Sequence, residues 1–175
     1  MAILTAEQLK PFAPLEAYLM DPHPFDWGSL LAPYSPPLPR EGQVVLASYF
    51  GDVFVEDEHG AVWWVNGLEA RVDRIAINLD QAVQRISAEH LVMLKTKLME
   101  QLIKADRLLP AGKIYGLIVS RLDGGKYHPD NVGVAPMADA FAFMGAEFQR
   151  KNPPPKPEPA APEPKKKSGL WGKKK

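Results

Sequence analysis

Four ionisable side chains in a row, Glu56-Asp57-Glu58-His59 ahead of Gly60, form a dense set of potential metal ligands. A calcium loop spreads its oxygens over about a dozen residues and closes on a bidentate Glu. Here the four are consecutive between two strand-like runs, where neighbouring side chains diverge. The reading is a solvated acidic turn without a metal. His23, His59, His90 and His128 fall at no paired spacing, and Glu89-His90 lacks the second histidine of a zinc-protease helix. There is no Gly-x-Ser-x-Gly elbow, phosphate-cradling loop or dinucleotide fingerprint. With no visible nucleophile, nucleotide or hydride chemistry, the expectation is a protein that is not an enzyme, uses no cofactor and takes no small-molecule substrate.

The chain that must position these residues is 175 residues long, with 46% apolar and 24% charged side chains. That is the mix of one soluble globular domain. It has no cysteine, which excludes a disulfide framework and thiolate chemistry. No basic segment, apolar run and small-residue cleavage site follow one another at the N-terminus, so a cytoplasmic protein is expected. The formal net charge of zero hides a polarity. Arg150 to Lys175 holds nine of the 21 Lys/Arg and two of the 21 Asp/Glu, which leaves about −7 on the body and about +7 on the tail. Such asymmetry points to separate partners or to self-association.

Residues 1–151 read as a single α+β domain, an antiparallel β-meander with packed helices. Residues 152–175, KNPPPKPEPAAPEPKKKSGLWGKKK less its first lysine, read as a disordered Pro/Lys-rich tail. Within it Lys165, Lys166, Lys167, Trp171, Lys173, Lys174 and Lys175 are the candidates for weak contact with nucleic acid or with a membrane surface. Residues 1–42 form a proline-rich lead-in. Thr5 is the expected cap of short helical turns, and Trp27, Leu30, Leu31 and Tyr34 pack an irregular span from Asp21 to Arg40 onto the body.

Strands follow in QVVLASYF, GDVFVE, AVWWVN and EARVDRIA, with Asn66-Gly67 as a hairpin signal. Trp63 and Trp64 are adjacent and must face opposite sides, one in the core and one outside or under another element. Asn78 caps a short helix with Gln81 completing the box. Ser87 is expected to cap a long helix whose apolar stripe is Leu91, Leu94, Leu98, Leu102 and Ala105, flanked by Val92, Met99 and Ile103. KIYGLIVS, from Lys113 to Ser120, reads as a buried strand, then come a loop, the strand NVGVA and a helix opened by Pro136.

The loop carries His128-Pro129-Asp130, the tripeptide with which J-domain co-chaperones engage their partner. In those proteins a basic amphipathic helix precedes it. Here a strand and Gly124-Gly125 do, so the triplet reads as a turn in which Pro129 fixes its own φ and Asp130 and Asn131 supply turn-forming side chains. Replacing His128 should do little, whereas Gly125 should matter if its φ is positive.

From Val44 to Lys151 the chain resembles the C-terminal domain family of bacterial type VI secretion DNase-effector immunity proteins, many of them domains of unknown function. The matching positions are Gly51, Val53, Phe54, Glu56 and Asp57; Tyr115 and Gly116; Gly124, Gly125 and Tyr127; Asn131 and Val134; and Phe141, Phe143 and Gly145. Leu117 stands where the family often has phenylalanine. The resemblance implies a cytoplasmic immunity protein that binds and neutralises a nuclease effector by protein–protein contact. An acidic body suits the basic cleft of a nuclease. The candidate partner-binding residues are Glu56, Asp57, Glu58, Trp63 and Trp64. The alternative is a cytoplasmic interaction or scaffold protein working through its basic tail.

Overall fold

The computed structural model describes residues 10–22 and 25–153. Thr5 and the tail from residue 154 lie outside them, and so do the expectations placed there. Seven strands are described: β1 Leu19–Met20, β2 Gly42–Ser48, β3 Asp52–Asp57, β4 Val62–Asn66, β5 Arg71–Ala76, β6 Lys113–Leu117 and β7 Val132–Pro136. The first five form one antiparallel meander in the order β1-β2-β3-β4-β5, and β6 pairs with β7 as a separate hairpin. Five α-helices are described: α1 Trp27–Leu31, α2 Leu79–Ala88, α3 His90–Met93, α4 Thr96–Lys104 and α5 Met137–Lys151. The fold is α+β, as the strand and turn chemistry implies.

Side-chain alternation divides the meander into two cores. Val44, Val53, Val55 and Val65 face the side covered by α5, α4 and the 3-10 turn Ala32–Tyr34. Val45, Phe54, Trp64 and Ile75 face the side covered by the 3-10 segment Lys10–Tyr18 and by α2. Because both faces are covered, strands such as Val44-Val45-Leu46 read as continuous apolar runs instead of alternating ones. The lead-in is an integral part of the first core. Leu31, Tyr34 and Leu38 are buried, the Trp27 ring meets Phe141 edge-on at 5.7 Å, and Tyr34 packs on Phe148.

Asn66-Gly67 does not form a two-residue hairpin turn. The Asn66 side chain accepts the Glu69 N–H at 3.2 Å and caps a 3-10 turn over Gly67–Glu69, after which Ala70 takes the left-handed conformation with φ 49°. Gly67 leaves room for Met144 of α5: a Cβ there would lie 2.5 Å from its sulfur, so that side chain would have to shift.

The residues expected to form one long helix from Ser87 are divided between the last two residues of α2, α3 and α4. Asn78 does cap α2 through the Gln81 N–H at 2.9 Å. Ser87, however, lies inside α2 and starts nothing. The chain turns at Glu89, and turns again at Lys95, whose φ of 53° is left-handed. At the second break Lys95, a charged residue on the apolar face, is delivered to a buried carboxylate. The stripe is split accordingly: Leu94, Leu98, Met99 and Leu102 are buried, but Leu91 is 60% exposed, Val92 is 64% exposed, and Ile103 and Ala105 are also exposed.

The strand from Lys113 ends at Leu117, three residues early. Asn131 intervenes: its carbonyl accepts the Ile118 N–H, its side-chain oxygen accepts the Val119 N–H at 2.8 Å, and its amide donates to the carbonyls of Val119 and Lys126. Ile118 and Val119 are left exposed. The hairpin joins the meander where the Tyr115 N–H donates to the Tyr49 carbonyl at 2.8 Å.

Candidate functional site

The acidic turn is built from Asp57 outwards. Its carboxylate accepts the backbone N–H groups of His59 and Ala61, both at 2.9 Å, and the Trp63 indole N–H at 2.8 Å. The Trp63 hydrogen bond above all holds the Asp57 carboxyl below the usual range, with the backbone donors of Ala61 and His59 assisting. Gly60, with φ 80°, closes the turn. Asp57 is thus turned inward as a fastener. Glu58 and His59 remain exposed, and Glu56, opposite Gln43 in register, is partly exposed. The corner presents fixed negative charge beside the half-buried Trp63, which packs against the first core.

Trp64 does not belong to that surface. It is buried in the second core, stacked on Phe54, and donates its indole N–H to Asp52 at 3.1 Å. Asp52 is fully buried and also accepts the Ser48 hydroxyl at 3.0 Å and the Lys95 ammonium at 2.6 Å on each oxygen. Burial pushes the Asp52 carboxyl up, while Lys95, Ser48 and Trp64 pull against it. The Lys95 ammonium lies 5.9 Å from the ring centres of both Trp64 and Tyr127. The Tyr127 hydroxyl donates to Glu69 at 2.7 Å, Arg121 donates to the same oxygen at 3.1 Å, and the Arg121 guanidinium lies over the Tyr127 ring.

These residues lie under a cleft of about 640 Å³ rimmed by Arg71, Lys97, Leu91 and Val92. Lys95 and Asp52 are absent from the sequence reading as functional residues. The signal was a lysine four positions after Leu91 and three before Leu98, in the middle of an apolar stripe. Among the described residues no three His, Asp or Glu side chains converge to hold a metal ion, and no helix is long and apolar enough to cross a membrane.

The positions that carry the family resemblance hold the hairpin and its loop to the meander. Gly51 (φ 74°) sits under Met144, the Tyr115 hydroxyl donates to the Arg107 carbonyl at 2.6 Å, and Gly116 lies in β6. Gly124 has φ 85°, and Gly145 faces Pro33 so closely that a Cβ would approach it to 2.8 Å. Gly125 matters for a different reason from the one anticipated. Its φ is not positive; the position is closed by backbone, and a Cβ would lie 1.9 Å from the Val119 carbonyl oxygen. His128 receives the Asp130 N–H on its ring at 3.3 Å and caps the 3-10 turn Pro129–Asn131 on the exposed surface.

No family model matches the chain, and no curated protein matches it. Among solved structures it is similar to Atu4351 from Agrobacterium tumefaciens, with 20% identity, a TM-score of 0.56, and 75% of this chain and 67% of that chain covered. The likeness is one of fold.

Proposed function

We propose that the chain is a cytoplasmic immunity protein that neutralises a type VI secretion nuclease effector by protein–protein contact, without catalysis of its own. The observation that carries this reading is the acidic corner in which Asp57 fastens the turn and Trp63 while Glu56 and Glu58 face outward. A preorganised acidic surface loses little entropy on binding and stands where a nuclease expects phosphate. The family resemblance supports the same reading, because its glycines and aromatics hold the loop and hairpin in place. Trp63, half-buried and hydrogen-bonded, offers an aromatic edge next to the charge.

The test is co-expression of the full chain with a nuclease effector encoded beside its gene. Survival of the toxin-producing cells, lost with Glu56→Lys/Glu58→Lys, is the expected result. Continued killing in the presence of abundant folded chain, with no effector co-purifying, overturns the proposal.

A further inference from the structure

Between the β6–β7 hairpin and α5 runs an apolar groove of about 310 Å³, separate from the acidic corner. Ile118, Val134 and Phe143 line it and are 66%, 40% and 51% exposed. Leaving such side chains uncovered in one place is costly, and contiguous apolar surface of this kind marks an interaction site. Its lining includes two carboxylates, the exposed Asp139 and, ion-paired with Arg150 at 2.8 Å, Glu147, and no basic residue. A volume this small suits one or two side chains, at the lower end of the roughly 300–1,000 Å³ that ligand pockets occupy.

We propose that this groove is the docking site of the chain's own C-terminal segment, Lys165–Lys175, with Trp171 in the groove and the flanking lysines toward the exposed Asp139. Three observations select that occupant. Leu170 and Trp171 are large apolar residues in a segment otherwise dominated by lysine, three on each side, so an apolar groove with an acidic lining complements them in both properties. The segment is tethered at the right place, since α5 itself forms one wall through Asp139, Ala140, Phe143, Met144 and Glu147 and ends at Lys151. The tether is also long enough. Phe143 lies about 12 Å back along the helix from Lys151 at 1.5 Å per residue. The proline-rich stretch from Asn152 to Leu170 spans up to about 55 Å at about 3.1 Å per residue. Tethering makes the encounter intramolecular, with an effective concentration on the order of millimolar. This contact is independent of the proposed toxin binding.

The experiment uses the full chain labelled with [15N]tryptophan, Trp171 being assigned through Trp171→Phe, and a synthetic peptide of residues 165–175 as the reference for an undocked indole. The expected result is a Trp171 indole resonance shifted away from the peptide's, unchanged on dilution, and returned to the peptide's position by Phe143→Asp. Replacing Lys165, Lys166 and Lys167 by Glu should return it as well, and this variant leaves the groove intact. Should Phe143→Asp also lose the resolved signals of Trp27, Trp63 and Trp64, the lysine variant decides alone. A Trp171 signal that coincides with the peptide's in the unmodified chain overturns the proposal. So does a shift that disappears on dilution, which assigns the groove to a second copy, and so does a shift that survives the lysine replacements.

Discussion

The Lys95 ammonium lies 2.6 Å from both carboxylate oxygens of Asp52, a residue 43 positions earlier, and both side chains are buried. A buried ion pair contributes modestly when intact because desolvating two charges offsets their attraction, but removing one partner strands the other. Lys95→Met should therefore cost about 3–5 kcal/mol in urea denaturation. Adding Asp52→Asn should recover a good part of that loss, a non-additivity that a double-mutant cycle reads directly. Equal, additive losses would show that the two charges do not depend on each other.

The Asp57 carboxyl should titrate below the usual value of about 3.9, and Trp63→Phe should move it up, since the indole hydrogen bond is the largest influence on it. The sign follows from a depressed folded-state pKa: the stabilisation is present above the unfolded value and is lost as pH falls through the folded one. Carbon-13 titration of the side chain checks the shift. An Asp57 value that is the same in both proteins contradicts the hydrogen bond.

Tyr127 should resist ionisation well beyond the usual range near 10, because burial and then the Glu69 carboxylate both oppose a phenolate. Its folded-state pKa is raised, so the neutral hydroxyl stabilises the fold below about pH 10, and that contribution declines as the unfolded chain begins to ionise. Ultraviolet titration should show Tyr127 missing from the tyrosines that ionise near pH 10, and Glu69→Gln should bring its transition down only in part, because the burial remains. A Tyr127 that ionises near pH 10 in the unmodified chain would place its hydroxyl in solvent.

Gly125→Ala should destabilise by roughly 2 kcal/mol or more, since a Cβ would meet backbone that cannot move aside cheaply. His128→Ala should stay within about 0.5 kcal/mol, as expected for an exposed side chain away from the core. Thermal unfolding of the two variants ranks them. The opposite order would mean that the His-Pro-Asp turn, and not the glycine packing, holds this loop.

The meander was legible because its strands carry β-branched and aromatic residues and its turns carry Gly51, Gly60 and Asn66-Gly67, all local signals. Asn78 as a cap and Pro136 at the start of α5 were legible for the same reason. What was not legible depended on contacts remote in sequence. Leu91 and Val92 fit a helical stripe perfectly well, and they face solvent because the chain breaks at Glu89 and again at Lys95, where the lysine reaches Asp52. Trp64 was offered as a surface aromatic because adjacency to Trp63 shows that the two differ in side but not that both sides are covered. For the acidic corner, sequence located the charge but not the inward turn of Asp57. Ile118 stands exposed in the groove beside Phe143 because β6 ends at Leu117, where Asn131 takes up the next backbone groups, which no periodicity announces.

The meander is an open sheet, and open sheets invite strand addition from other chains. At one end β1 is only two residues long. At the other, β5 presents Arg71, Asp73 and Arg74. A brief edge and a charged edge are both poor templates for another strand. Uncontrolled edge-to-edge polymerisation is thereby discouraged, and the main-chain ladder at either edge offers little to an added strand.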